Sequence, residues 1–146
     1  MKEELTMNIS ENFTIEEMEA SETAAKLGII NQVATFEQRD ALFALVRSVL
    51  QPLRTAYGKP LHINSGFRCK ELNRAVGGVA TSQHTKGEAA DVAAENPYQL
   101  AMLARTLNLP YDQMILYPTF VHFSHKLSGE QRGDVLYNKS YNGKKL

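Results

Sequence analysis

A single cysteine, Cys69, stands in 146 residues, which excludes an internal disulfide and leaves no second thiol for a zinc knuckle. Charge of one sign is equally lacking. Sixteen basic and sixteen acidic residues cancel, and no run of Lys or Arg is longer than the Lys144-Lys145 pair. The electrostatic footprint that phosphate binding needs is therefore missing, and nucleic acid is not an expected partner. Long apolar runs are missing too. None approaches membrane-spanning length, and the start, MKEELTMNISENF, carries acids where a secretory signal carries a basic start and an apolar stretch. The expectation is a soluble chain made in the cytoplasm, with no membrane partner. Cys69 itself reads as a small buried or half-buried residue beside a helix start.

What is present is the composition of an ordinary globular protein, 43% hydrophobic and 22% charged. The length suits one domain over 1–146, with 1–12 as a flexible start, and such a chain buries roughly two thirds of its unfolded surface without a disulfide or structural metal. Thr14 and Glu17 form a capping-box pattern that opens a helical region through Ile15, Met18, Ala24 and Leu27, ended by Gly28. Thr35 and Gln38 open a second helix through Leu42, Leu45, Val46, Val49 and Leu53, with a kink at Pro52 and a stop at Gly58 and Pro60. Strands are expected over 61–64, 89–93, 113–117, 120–125 and 134–138. Short helices are expected over 70–76 and from Pro97 through Leu100, Leu103 and Leu107, the latter capped by Asn96. Residues 79–88 read as a polar loop. The economical architecture is α+β, helices packed on a small, mainly antiparallel sheet.

Four histidines occur, at 62, 84, 122 and 125, and Asp91 lies seven residues after His84 in the alanine-rich stretch Ala89–Ala93. A carboxylate there is costly unless it is paired or bound to metal. Strand alternation puts Ala89, Asp91 and Ala93 on one face, the alanines leaving space around the acid, and puts His122 with Ser124. If these two strands pair, Asp91 and His122 point into one cleft and the loop can bring His84 over them. Two imidazoles and one carboxylate with an open position have the composition of a catalytic zinc site. Spacing alone leaves the other reading open, in which His84 is a surface-loop histidine, Asp91 an ion-pair partner and His122 a satisfied strand histidine.

The segments SGFRCKELNRAVGG, TSQHTKGEAADV and VHFSH resemble the three signature blocks of the zinc D-Ala-D-Ala carboxypeptidase and peptidoglycan endopeptidase superfamily. FTIEEMEASETAAKLGI, LQPLRTAYGKP and YDQMILYP are similar to members found in phages and prophages. The resemblance implies a fold shared with the amino-terminal domain of hedgehog signalling proteins and Zn2+ on His84, Asp91 and His122. It implies Arg68 facing the scissile carbonyl and Ser82 and Gln83 along the substrate cleft. It also implies a peptidoglycan stem peptide as partner and the life of a lysin that reaches the wall once another protein opens the membrane. A monomer is expected.

Several relatives carry a Glu as general base where this chain has Thr119 or Tyr117. Elimination then points to His125 as the proton acceptor, although alternation sets it on the face opposite His122, with Asp112 as the next acid in line. Two other functions fit the same sequence: a metal-bearing binding domain without catalysis, and a peptidase for a dipeptide outside the cell wall.

Overall fold

Ser21 divides the first helical region in two. In the computed structural model, which describes residues 7–146, the Thr14 side chain accepts from Glu17 N and opens α1 (Ile15–Glu19). The chain is extended at Ala20, and the Ser21 side chain accepts from Ala24 N to open α2 (Glu22–Leu27). The new cap resets the helical phase, so Leu27, expected on the apolar face, is 59% exposed. Part of the stretch expected as a flexible start is strand. Asn8–Ser10 (β1) pairs antiparallel with Phe13–Thr14 (β2), because Ile9 and Phe13 are core side chains that fix this hairpin from below; residues 1–6 lie outside the described residues.

The second helix forms as its capping box predicts. Thr35 and Gln38 each bond the other's backbone at the start of α3 (Phe36–Leu45). The helix continues through a widened π turn, Val46–Leu50, into α4 (Gln51–Tyr57). The expected disturbance at Pro52 takes this form: a residue without an N–H, whose ring crowds the preceding turn, cannot continue a regular ladder. Leu42, Leu45, Val46, Val49 and Leu53 are all fully buried.

Five strands make the main sheet: β3 (Ile63–Ser65), β4 (Ala89–Ala93), β5 (Gln113–Leu116), β6 (Phe120–Ser124) and β7 (Asp134–Tyr137). Their order is β3-β4-β6-β5-β7, and every pair is antiparallel except β5 with β7. This is the expected α+β architecture, with β3 starting two residues later than the sequence suggests. One face of the sheet, made by Ala90, Val92, Met114, Leu116, Val121 and Phe123, is wholly buried. Against it packs α6 (Pro97–Thr106), which lies on α4, β5 and β6. The other phase carries Ala89, Asp91 and Ala93 on β4, His122 on β6 and Ile115 on β5, in register with Asp91 opposite His122 and His122 opposite Ile115. No helix of the described residues is long and apolar enough to cross a membrane.

Candidate metal centre and peptide cleft

His84 is set by a one-turn device inside the expected loop. Gln83–Lys86 form a 3-10 turn in which the Ser82 hydroxyl accepts from His84 N at 3.2 Å, and Gly87 ends it in the left-handed region at φ 77°. A side chain at Gly87 would strike the Gln38 carbonyl, so the turn seats directly on α3, where Gln38 Nε2 donates to Thr85 O at 3.3 Å. The ring is buried, and its Nδ1 lies 2.7 Å from Gly66 O. A carbonyl only accepts, so Nδ1 carries a proton and Nε2 points the other way.

That nitrogen faces Asp91, with His84 Nε2 3.4 Å from Asp91 Oδ1. His122 Nδ1 lies 2.8 Å from the same oxygen, and the two imidazole rings meet edge to face with centroids 5.2 Å apart. Two imidazole nitrogens converging on one buried carboxylate are a donor set that suits a cation. One donor atom from each of His84, Asp91 and His122 lies within 4.8 Å of the others. Tetrahedral zinc with bonds of about 2.0–2.2 Å needs donors about 3.3–3.6 Å apart, and the His84–Asp91 pair at 3.4 Å has that spacing. Burial opposes ionisation of Asp91, but hydrogen bonds from His122 and His84 outweigh it and hold the carboxyl well below the usual carboxylate range.

Arg68 enters the same space from the segment between β3 and α5 (Lys70–Ala75). Its Nη2 is 3.7 Å from Asp91 Oδ2, its Nε donates to Ser65 Oγ at 3.0 Å and its Nη1 donates to Asn73 Oδ1 at 3.1 Å. Burial lowers the guanidinium's pKa and Asp91 opposes that; the side chain stays charged. The backbone on both sides of it is held by one buried amide, since Asn31 Nδ2 donates to Phe67 O at 2.8 Å and Asn31 Oδ1 accepts from Cys69 N at 2.7 Å. Cys69 is the half-buried cap of α5, its Sγ accepting from Leu72 N. Sequence reasoning did not single out Gly66, Asn31 or Asn73. Asn73 stands inside the SGFRCKELNRAVGG block, but Asn31 is more than thirty residues from both of these backbone partners and carries no local signal.

The remaining candidates are placed differently. Ser82 and Gln83 line a cleft of about 420 Å³ beside His122, while Ser65 and Arg68 line one of about 490 Å³ on the other side. Gln83 Nε2 also reaches Glu88 and Asp112, at 3.3 Å each. His125 is not brought to the ligand group. Its backbone N donates to Glu88 O, which continues the β4–β6 pairing one step past Ala89 and Ser124 and leaves it on the phase opposite His122. Its Nδ1 is buried without a hydrogen-bond partner, and burial lowers its pKa despite Asp112 and Glu88. His125→Gln is therefore expected to leave zinc content and the acidic limb of the kcat/KM pH profile in place. Loss of that limb with zinc retained would restore His125 as the proton acceptor.

Asp112 is committed elsewhere. It is fully buried and accepts from Arg132 N at 2.8 Å and from Arg132 Nη2 at 2.7 Å. Burial raises its pKa, but the Arg132 hydrogen bonds and the charges of Arg132 and Lys126 win and hold it at about 2. Since the unfolded value is near ~3.9, the stabilisation is present above that value and is lost as pH falls toward the folded one. Asp112→Asn is expected to cost about 2–3 kcal/mol at pH 7. In urea denaturation the gap to the unaltered protein should close between about pH 4 and pH 2; a gap that stays constant with pH would mean the charge is not what stabilises.

The fold and this group define a metallopeptidase-type site, and comparison with known proteins agrees. The Peptidase M15 family model matches residues 11–125, and the chain belongs to that family. It is also similar to the zinc D-Ala-D-Ala carboxypeptidase of Streptomyces albus G, with 34% identity over 86 residues that cover 57% of this chain and 34% of that protein. The chain thus spans about a third of the relative's length.

Proposed function

We propose that this chain is a zinc-dependent peptidase that hydrolyses D-amino-acid-containing peptide bonds in peptidoglycan stem peptides. The observation that carries the reading is the convergence of His84, Asp91 and His122 beside Arg68, on the sheet phase opposite the wholly buried one. Zinc bound by those three would supply Lewis acidity toward a peptide carbonyl and toward water. The chain's own residues do the rest. Gly66 O fixes the tautomer of His84, Asp91 supplies the negative charge, and Arg68 offers a charge-assisted donor where the oxyanion develops. The clefts beside Arg68 and beside Gln83 give an extended peptide a path on both sides of the scissile bond.

The substrate class is supported by the name of the Streptomyces relative and by the three sequence blocks. The test is release of new amino groups from purified stem peptides with and without a chelator. Release that the chelator abolishes and zinc restores is expected. No release, with peptide still bound, would make the chain a binding domain, and cleavage confined to ordinary L-dipeptides would move the substrate away from the wall. Mass spectrometry of the products distinguishes loss of a terminal D-Ala from cleavage of a cross-bridge.

A further inference from the structure

Asn73 has no donor in the metal group and no contact with the clefts, yet it is a polar side chain only 3% exposed. Its amide is used at both ends. Nδ2 donates to Val79 O at 2.8 Å, and Oδ1 accepts from Arg68 Nη1 at 3.1 Å. The orientation of the amide is not ambiguous, because Val79 O can only accept and a guanidinium can only donate. Its backbone is held at both ends of α5: Asn73 N donates to Cys69 O at the helix start, and in the turn after the helix Gly78 N donates to Asn73 O at 2.8 Å. Gly78 itself has no positive φ, so its need is for space. A Cβ there would overlap Asn73 Oδ1 and crowd its Cγ.

We infer that Asn73, kept in place by the absence of a side chain at Gly78, is a positioning residue that aims the Arg68 guanidinium. Three nitrogens of Arg68 meet three separate elements. Nε is held by Ser65 on β3, Nη1 by Asn73 on α5, and Nη2 is left toward Asp91 on β4. With two corners of the planar fork fixed, the third has one direction in which to point. Removal of Asn73 frees the fork to rotate away and leaves the charge present but misaimed. The inference rests on the reading of Arg68 as the donor to the scissile carbonyl.

The test is a double-substitution cycle on the zinc-loaded protein with a D-Ala-terminated stem peptide. Asn73→Ala is expected to lower kcat about 10- to 100-fold, the range of a lost supporting partner, with KM and zinc per chain unchanged. In an Arg68→Ala background the same change should cost less than about twofold, since there is no fork left to aim. Gly78→Ala, which disturbs Asn73 from outside the core, should reproduce the effect if Asn73→Ala does not fold. Equal costs with and without Arg68, or unchanged kcat in both folded variants, overturns the inference.

A second readout does not depend on turnover. In 15N-arginine-labelled protein, the signal that Arg68→Ala removes should show a slowly exchanging Nε–H, and Asn73→Ala or Gly78→Ala should speed that exchange at least tenfold. Exchange that does not change rejects the positioning role. Failure of the peptidase reading shows instead as no chelator-sensitive cleavage by the unaltered protein, whatever this signal does.

Discussion

His84→Ala and His122→Ala should each bring zinc from about one per chain to near none and reduce peptide hydrolysis to background, while leaving a folded domain. Catalytic zinc is held by three protein ligands and an open position; either change leaves two, one of them Asp91. The fold does not share that dependence. Side chains such as Phe13, Leu42, Leu45, Leu50, Leu53, Phe123 and Met114 are fully buried, each contributing about 1.5–3 kcal/mol of gross burial energy, and none of them supplies a donor to the metal group. The cost of His84→Ala should be that of stranding the Gly66 carbonyl, about 1–3 kcal/mol. Elemental analysis, hydrolysis rates and circular dichroism read the three parts separately. Variants that retain zinc would disprove the ligand assignment, and variants that unfold would make the centre a structural one.

The parts of this centre legible in the sequence are those with a local pattern. Asp91 in the run Ala89–Ala93 is a charge where periodicity demands a buried strand, and that conflict by itself marks a site. Alternation on two strand candidates puts Asp91 and His122 where they can share a cleft if the strands pair, and the pairing of β4 with β6 sets them opposite one another. Helix starts are legible for the same reason, since Thr14, Thr35 and Asn96 each act within three residues. What local pattern does not hold is long-range. The break at Ser21 moves Leu27 outward, β1 pairs with β2, and Asn31 reaches across 36 residues to Phe67 O. Each depends on which surface happens to lie alongside, which no window of sequence states.

The same distinction explains His125 and Asp112. Elimination works on residue types, and by type both could accept a proton near the centre. Geometry acts on phase and on commitments already made. One step of register sends His125 to the far face of the sheet, and Arg132 occupies Asp112 from two directions. A carboxylate that is buried, doubly bonded and held at about 2 is a weak base and a strong structural anchor.

Arg68→Ala is expected to lower kcat by about 10²- to 10³-fold, equivalent to about 2.7–4 kcal/mol of transition-state stabilisation, with zinc content unchanged. The zinc expectation follows from distance. Arg68 Nη2 stands 3.7 Å from Asp91 Oδ2, beyond a direct hydrogen bond, while Asp91 Oδ1 keeps both imidazoles. The kinetic expectation follows from what a fixed cation does in a half-buried cleft. It interacts weakly with a neutral carbonyl and strongly with the oxyanion that replaces it, so its loss falls on kcat and leaves KM nearly unchanged. Arg68→Lys should recover little of the rate. A lysine brings a compact charge on a flexible stem and cannot bond Ser65 and Asn73 at once while facing Asp91. Steady-state kinetics on a defined stem peptide, with zinc measured on the same samples, separates the outcomes. Near-normal turnover in Arg68→Ala would reduce Arg68 to an ion-pair partner of Asp91, and a parallel loss of zinc would show that its charge serves the metal group instead of the substrate.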